Sequence, residues 1–283
     1  MERYTAPVIT VAQDASLFET LQQMQMNFIK HIVITAKTKP IGIVTERDIN
    51  KFLENDKTTR AINEIPINHV MKKNLITLQD GLDDLFHQCA ARMKTFNIGS
   101  IVLVNDNGDL IGIVTKTDIA RTFSVIYGGK YNVKDYMSKN VMTCRKSDSL
   151  RFALDMINRN KISRLVVTDN DGNPLGLITT NTFLTHSDYF TKGRTRTRDY
   201  LLSIGSDHNL SVDDLVSKDL LTVNLDDDLA SAARLMTKNM ISGIPVIDNN
   251  KKLAGVITNS DIVPAFYDID FHDALKTKYK NVY

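Results

Sequence analysis

The stretch Gly42-Ile-Val-Thr45-Glu-Arg-Asp48 decides the fold, because close variants of it occur three more times along the chain. The variants are Gly112-Ile-Val-Thr115-Lys-Thr-Asp118, Gly176-Leu-Ile-Thr179-Thr-Asn-Thr182 and Gly255-Val-Ile-Thr258-Asn-Ser-Asp261. Each phrase joins a short apolar run, typical of a buried strand, to a Thr followed by polar residues, typical of a helix start. Four copies of one phrase predict a repeat architecture.

The residues before each phrase repeat as well. An apolar-x-Thr step recurs at Thr10, Thr77, Thr143 and Thr222, with spacings of 67, 66 and 79 residues. Apolar residues at helical spacing and then a short apolar strand follow each step. The unit therefore reads strand, helix, strand, strand, helix, which is an α/β class. One unit is too small to cover both faces of its sheet, so we expect the repeats to pack pairwise, sheet against sheet.

Composition excludes several classes of protein. The chain has 283 residues, of which 42% are hydrophobic, enough for about two domains with real cores. Its net charge of +2 does not by itself demand a nucleic-acid or membrane partner. Cys89 and Cys144 are isolated, which argues against a disulfide framework or zinc site and favours a reducing, cytoplasmic compartment. No signal segment or span-length apolar run is present, so the sequence predicts a soluble intracellular protein.

The order of apolar-x-Thr, helix, apolar strand and Gly-x-x-Thr-x-x-Asp resembles the cystathionine-β-synthase-type repeat, or CBS domain. The resemblance covers nearly the whole chain and implies two tandem modules, as in proteins similar to the γ subunit of AMP-activated protein kinase. The first module is residues 1–126, with repeats at about 4–55 and 66–126; the second is residues 127–283, with repeats at about 131–188 and 209–267. A basic segment at 189–208 and a tail at 268–283 lie outside the repeats of the second module.

A short lead-in helix is predicted before three of the four repeats, at Ile67–Met71, Val133–Met137 and Val212–Val216. Repeat one has no such helix. We expect the C-terminal tail to cover the position that this helix leaves vacant.

The Thr-x-x-Asp part of the phrase has two interpretations. It can be a capping box, in which the Thr hydroxyl and the acidic side chain satisfy the first amides of a helix. It can also be a ligand site, because a carboxylate accepts hydrogen bonds from both hydroxyls of a ribose and a helix N-terminus favours phosphate. The phrase glycine would then let a ligand approach the backbone closely. The resemblance favours the second use, since CBS clefts commonly take adenosine-containing ligands.

In the family, a cleft combines the Thr-x-x-Asp of one repeat with the apolar-x-Thr step and first apolar strand of its partner. The resemblance thus implies three clefts with a ribose acceptor: Thr45 and Asp48 with Thr77, Ile98 and Gly99; Thr115 and Asp118 with Thr10, Ile29 and Lys30; and Thr258 and Asp261 with Thr143, Ile162 and Ser163. A fourth would join Thr179 to Thr222, Ile241 and Ser242, but Thr182 stands where the carboxylate belongs. We expect that cleft to be empty or weak, because one hydroxyl cannot replace a carboxylate as a double acceptor.

Basic residues near the predicted clefts are candidates for phosphate contacts. They are His31, Arg47 and Arg164, together with Lys30. Alternatively, His31 is a hydrogen-bonded strand residue and Arg164 a surface side chain. A separate basic run, Lys192-Gly-Arg194-Thr-Arg196-Thr-Arg198, is either a solvated loop or a docking segment for an anionic partner.

No catalytic constellation is present in the sequence: neither a phosphate-binding nucleotide-hydrolysis loop nor a nucleophile elbow or metal-ligand cluster occurs. The sequence therefore favours a non-enzymatic regulatory sensor with no catalytic cofactor. Its expected ligand is AMP, ADP, ATP or a dinucleoside polyphosphate, while S-adenosylmethionine and NAD stay open. Further expectations are an unidentified protein or ribonucleoprotein effector, a possible homodimer and no membrane contact. The alternative is a docking protein for RNA, a ribonucleoprotein or an acidic protein through residues 192–198.

Overall fold

The computed structural model describes residues 4–279 except 57, 59, 83, 187–209 and 218, and of residues 184–186 and 270–279 it describes the backbone alone. Within this part of the chain each repeat forms its own three-stranded sheet. The first two strands of each sheet run parallel and the last two antiparallel. A helix crosses between the parallel strands, as such a pair requires. The predicted α/β class and the order strand, helix, strand, strand, helix are confirmed.

The elements follow the same order in all four repeats. Repeat one contains β1 (Thr10–Ala12), α1 (Leu17–Met26), β2 (His31–Ala36), β3 (Lys39–Thr45) and α2 (Glu46–Asn55). Repeat two contains β4 (Thr77–Gln79), α3 (Leu85–Phe96), β5 (Ser100–Val104), β6 (Leu110–Thr115) and α4 (Lys116–Ile126). Repeat three follows the short helix α5 (Val133–Tyr136) and contains β7 (Thr143–Arg145), α6 (Leu150–Arg159), β8 (Arg164–Thr168), β9 (Pro174–Thr179) and α7 (Thr180–His186). Repeat four follows α8 (Val212–Leu215) and contains β10 (Val223–Asn224), α9 (Leu229–Lys238), β11 (Gly243–Ile247), β12 (Leu253–Thr258) and α10 (Asn259–Tyr279).

The chain divides into two compact units that interleave along the sequence. The odd-repeat unit consists of residues 9–75 and 142–220, and therefore contains repeats one and three. The even-repeat unit consists of residues 1–8, 76–141 and 221–283, and contains repeats two and four. Each unit takes one repeat from each of the predicted modules at 1–126 and 127–283. The pairing of repeat one with two and of three with four stays a prediction.

Each unit has an apolar interior built from strands and helix faces. In the even-repeat unit a single cluster joins repeats two and four, with Phe86, Phe123 and Phe266 among its fully buried side chains. In the odd-repeat unit repeats one and three have separate clusters, around Leu17 and Ile34 in one and Leu165 and Phe183 in the other. The helical spacing read in the sequence thus corresponds to buried faces, as amphipathic helices require.

The first helix of every repeat ends in the same strained turn. The turn places one residue of each repeat in the left-handed region of φ, which residues other than Gly and Asn rarely adopt. These residues are Phe28, Asn97, Lys161 and Met240, with φ angles of 54°, 50°, 54° and 53°. This turn reverses the chain and starts the second strand three residues later. The residue after the turn therefore lies at an equivalent position in the four repeats, as Ile29, Ile98, Ile162 and Ile241.

The residues that precede each repeat, here called its lead-in, pack on the neighbouring repeat in sequence. The phrase glycines mark the contact. A Cβ on Gly42 would lie 2.5 Å from Met71 Sδ of the repeat-two lead-in, and one on Gly255 would lie 2.7 Å from Met137 Sδ of the repeat-three lead-in. Gly176 meets Val216 and Ser217 in the same way. The prediction that these glycines make room for a ligand is wrong, because a protein segment occupies that space.

The N-terminal segment serves as the lead-in of repeat one. Tyr4 packs against Gly112, and Thr5 forms an antiparallel bridge with Ile113 whose two backbone hydrogen bonds are 3.0 and 3.1 Å. Lys72 and Ser138 make the same bridge with Ile43 and Val256 in repeats one and four. Tyr4 and Thr5 thus correspond to Met71 and Lys72 of the repeat-two lead-in, and coverage of the preceding helix position by the C-terminal tail stays a prediction. The tail continues helix α10 from Asn259 to Tyr279.

Candidate functional site

The Thr-x-x-Asp phrases form capping boxes at the starts of α2, α4 and α10. Thr45 Oγ1 donates to Asp48 Oδ2 at 2.6 Å, while the Thr45 amide donates to the same oxygen at 3.1 Å. The corresponding distances are 2.6 and 2.8 Å for Thr115 and Asp118, and 2.7 and 2.8 Å for Thr258 and Asp261. The structural interpretation of the phrase is therefore confirmed. It engages Oδ2 in every case and leaves the second carboxylate oxygen to other partners.

That second oxygen, Oδ1, is contacted differently in the three repeats. Asp48 Oδ1 pairs with Lys72 Nζ at 2.7 Å, and Asp118 Oδ1 pairs with Arg121 Nη1 at 2.9 Å. Asp261 Oδ1 accepts a longer hydrogen bond of 3.4 Å from Ser138 Oγ. Sequence reasoning missed these three partners. Lys72 and Ser138 come from distant lead-ins, and the spacing of Arg121 from Asp118 is the only one that a helical pattern could have indicated.

The fourth phrase keeps the box without a carboxylate. Thr179 N donates to Thr182 Oγ1 at 3.1 Å, and Thr182 N donates to Thr179 Oγ1 at 3.2 Å. The two hydroxyl oxygens are 3.1 Å apart. Thr182 thus takes over the capping function of the aspartates, but it brings no negative charge to the junction. The first turn of α7 contains no acidic residue.

The other predicted cleft residues lie at equivalent places in their own repeats. Thr10, Thr77 and Thr143 begin β1, β4 and β7 and are paired in parallel with Val33, Val102 and Val166 respectively. Ile29, Ile98 and Ile162 follow the strained turn and are partly buried. Lys30, Gly99 and Ser163 come next, directly before the second strand of each repeat.

The two compact units each hold one half of every predicted cleft. The odd-repeat unit contains Thr10, Ile29, Lys30, Thr45, Asp48, Thr143, Ile162 and Ser163. The even-repeat unit contains Thr77, Ile98, Gly99, Thr115, Asp118, Thr258 and Asp261. The assembly of the halves into clefts stays a prediction.

All of the basic residues named as phosphate candidates lie in the odd-repeat unit. Arg47 Nη2 donates to Ser163 Oγ at 3.0 Å and so connects the start of α2 with repeat three. Lys30 and Arg164 interact electrostatically across the same junction. Dehydration by the surrounding protein lowers the pKa of Lys30, with Glu46 opposing the shift and Arg164 adding to it. The Lys30 residue as a whole nevertheless remains exposed to solvent.

Glu46 is the acidic member of this group, and sequence reasoning did not identify it. Its backbone amide donates to the carbonyl oxygen of Lys30 at 3.2 Å. Burial raises the pKa of its carboxyl group, while the positive charge of Lys30 lowers it. The only sequence signal was its position directly after the capping Thr45, where acidic residues favour helix starts.

The equivalent positions of the even-repeat unit are almost uncharged. Lys116 and Thr117 replace Glu46 and Arg47 in repeat two, and Asn259 and Ser260 replace them in repeat four. Lys116 Nζ donates to Ser260 Oγ at 3.1 Å, and Asn259 Nδ2 donates to Thr117 Oγ1 at 3.1 Å. The two units therefore have similar folds around these junctions but different charge.

Other features of the sequence add little to the site. The basic residues 192–198 lie outside the described residues. Among the residues that the structure describes, no group of His, Cys, Asp and Glu side chains is arranged to hold a metal ion. In the same part of the chain, no helix is both long enough and apolar enough to cross a bilayer. Cys89 and Cys144 are buried and form no disulfide, and burial raises the pKa of Cys144 to about 12.

Comparisons with known proteins follow the repeat pattern. A family model described as the CBS domain matches residues 2–55, 67–125, 133–188 and 212–268. The uncharacterized protein MJ1225 of Methanocaldococcus jannaschii is 27% identical over 276 residues, which cover 92% of this chain and 95% of that protein. The uncharacterized protein MJ1404 of the same organism is 26% identical over 297 residues, covering 99% of this chain and 66% of that protein.

Solved structures match over different lengths. The crystal structure of MJ1225, described as a candidate archaeal homologue of the AMPK γ subunit, gives a TM-score of 0.77 at 24% identity and covers 93% of this chain and 98% of that one. A structure of CBSX2 in complex with AMP covers 50% of this chain and 98% of its own, at 26% identity and a TM-score of 0.41. The match to MJ1225 shows that the fold extends over nearly the full length of both proteins.

Proposed function

The chain belongs to the CBS-domain family, and on that premise we propose that it is a non-catalytic regulatory sensor of adenosine-containing ligands. Its ligands are AMP, ADP, ATP or a dinucleoside polyphosphate, taken up in clefts between paired repeats. Occupancy of the clefts is signalled to a protein or ribonucleoprotein effector in the cytoplasm. Such signalling requires that the ligand bind two states of the protein with different affinity.

The observation that carries the proposal is that the two carboxylate oxygens of each phrase aspartate make different contacts. In each of them Oδ2 completes a capping box, and Oδ1 is held by a side chain beyond the box. A capping box needs only one carboxylate oxygen, so a ribose can be accepted at Oδ1 without dismantling the helix start. The structural and the ligand-binding interpretations of the phrase are therefore compatible.

The basic group of the odd-repeat unit supports a phosphorylated ligand. Four basic residues lie at or beside the junction between repeats one and three: Lys30, His31, Arg47 and Arg164. The even-repeat unit has Lys116 at the corresponding place. Cations near helix starts favour phosphate binding. A ligand with a long phosphate chain gains from such a concentration of charge, which supports ATP and dinucleoside polyphosphates among the ligands.

Calorimetry on the full chain, freed of copurified ligand by unfolding and refolding, tests the proposal. We expect saturable binding of at least one adenine nucleotide, and loss of one binding equivalent for each of Asp48→Asn, Asp118→Asn and Asp261→Asn. Asparagine keeps an oxygen for the capping box, so these variants remove the charge with little loss of helix stability.

Thr182→Asn is the matched control, because it changes the fourth box without removing a carboxylate. It should leave the number of binding equivalents unchanged. The absence of binding by AMP, ADP, ATP and diadenosine polyphosphates at millimolar concentration would refute the proposal.

A further inference from the structure

Lys72 covers a carboxylate that the proposed function assigns to ligand binding. Its Nζ lies 2.7 Å from Asp48 Oδ1. The Lys72 side chain is 64% exposed, whereas that of Asp48 is only 10% exposed. The lysine therefore lies on the solvent side of the carboxylate, where an incoming ribose would approach.

The backbone of Lys72 is held independently of this ion pair. Ile43 N donates to Lys72 O at 3.0 Å, and Lys72 N donates to Ile43 O at 2.9 Å. Met71, the preceding residue, fills the space beside Gly42. The ion pair consequently ties the lead-in of repeat two to helix α2 of repeat one, in addition to the apolar cluster that Ile67 and Val70 share with Ile49 of that helix.

A lysine at this place is specific to one repeat. Thr5 and Ser138 make the equivalent bridges, with Ile113 and Val256, and both carry a hydroxyl instead of a charge. The charged partner of Asp118 is Arg121, three residues along the same helix, so that pair links no separate segments. Among the bridge residues Lys72, Thr5 and Ser138, Lys72 alone joins a cation to a phrase aspartate across two chain segments.

We propose that Lys72 competes with the ribose for Asp48 Oδ1, so that occupancy at Asp48 is coupled to the lead-in of repeat two. The inference rests on the proposed function. Asp48 Oδ2 already accepts from the Thr45 hydroxyl and amide, which leaves the lone pairs of Oδ1 for a diol. With Lys72 in place one of these sites is taken. Both ribose hydroxyls are accepted only when the lysine withdraws.

Adenosine is the probe that separates this competition from the attraction of phosphates, because it carries the ribose and no charge. Calorimetry uses the full chain with Asp118→Asn and Asp261→Asn, so that Asp48 is the remaining phrase carboxylate. In that background we expect Lys72→Ser, which installs the residue type of repeat three's lead-in, to bind adenosine roughly two- to fivefold more tightly. This change corresponds to about 0.4–1 kcal/mol, within the range measured for exposed ion pairs.

Two control variants make the result specific. Lys73→Ser removes the same charge one residue along the chain and should leave adenosine affinity unchanged. Adding Asp48→Asn to Lys72→Ser should abolish the gain. Unchanged or weaker binding by Lys72→Ser would overturn the inference while leaving the proposed function intact. A failure of the unsubstituted chain to bind adenosine or any adenine nucleotide would instead overturn the proposed function, and this inference with it.

Amide hydrogen exchange tests the coupling. Saturating adenosine should speed exchange at the Ile43 and Lys72 amides of the unsubstituted protein, because loss of the ion pair releases one restraint on the bridge. In Lys72→Ser the exchange rates should no longer depend on adenosine. Equal rates with and without adenosine in the unsubstituted protein would show that the lead-in does not respond to occupancy.

Discussion

Replacing Thr182 by Asp tests directly whether the phrase carboxylate serves the ligand as well as the helix. Thr182 already occupies the geometry of the box, with hydrogen bonds of 3.1 and 3.2 Å to Thr179. An aspartate in the same place can reproduce the contacts of 2.6–2.8 Å that Thr115 and Thr258 make with their acids. The substitution therefore converts the exceptional phrase into a copy of the other three.

The expected gain in stability follows from the start of helix α7. That helix has no acid in its first turn, and a carboxylate there interacts favourably with the helix dipole by about 0.3–1 kcal/mol. At about 2–4 °C per kcal/mol for a chain of this size, Tm should rise by roughly 1–4 °C. Thr182→Asn, which offers a capping oxygen without the charge, should give less than that rise.

The expected gain in function is one additional ligand equivalent. Calorimetric titration of the ligand-free protein with the nucleotide that binds best should show a stoichiometry higher by one in Thr182→Asp than in the unsubstituted chain. Thr182→Asn should not change the stoichiometry. If Tm rises while the stoichiometry stays the same, the carboxylate caps the helix without accepting the ribose, and the reasoning behind the three-cleft prediction is refuted.

Two further predictions concern the fold and the charged junction. Gly176→Ala should lower the free energy of unfolding by about 1–3 kcal/mol, since the new Cβ would lie 2.7 Å from the backbone oxygen of Ser217. Gly42→Ala should lower the free energy of unfolding by less, because the flexible end of the Met71 side chain can move away. Chemical denaturation compares the pair, and equal losses would contradict the packing described for the lead-ins. Burial raises the pKa of Glu46, so the folded state favours the neutral acid at this position. Glu46→Gln should therefore raise Tm at neutral pH, and this advantage should disappear as the pH falls below the ordinary glutamate pKa of about 4.3. Thermal melts across that range check the sign, and an advantage that grows in acid would contradict it.

The repeat pattern and the local folding of each repeat could be predicted from the sequence. The signals are local: apolar periodicity, the Thr that begins each second helix and the recurring Gly-x-x-Thr phrase. Strands and capped helices form from these segments through short-range hydrogen bonds. The same signals identified Thr182 as the exception among the four phrases. The contrast between the charged residues Glu46 and Arg47 of repeat one and the uncharged Asn259 and Ser260 of repeat four was also visible in the residue types.

Contacts between distant segments were decided by the tertiary structure alone. The phrase glycines make room for lead-ins rather than for a ligand, and nothing in Gly42 or Gly176 indicates which side chain will be brought against it. The N-terminal residues Tyr4 and Thr5 contact repeat two as Met71 and Lys72 contact repeat one, and nothing in their sequence indicates the pairing of Thr5 with Ile113. Lys72 is 24 residues from Asp48 in the chain, and the bridge to Ile43 is what carries its charge to that carboxylate. Sequence periodicity determines which residues share a strand or a helix face, but the partner of a carboxylate depends on how those elements pack.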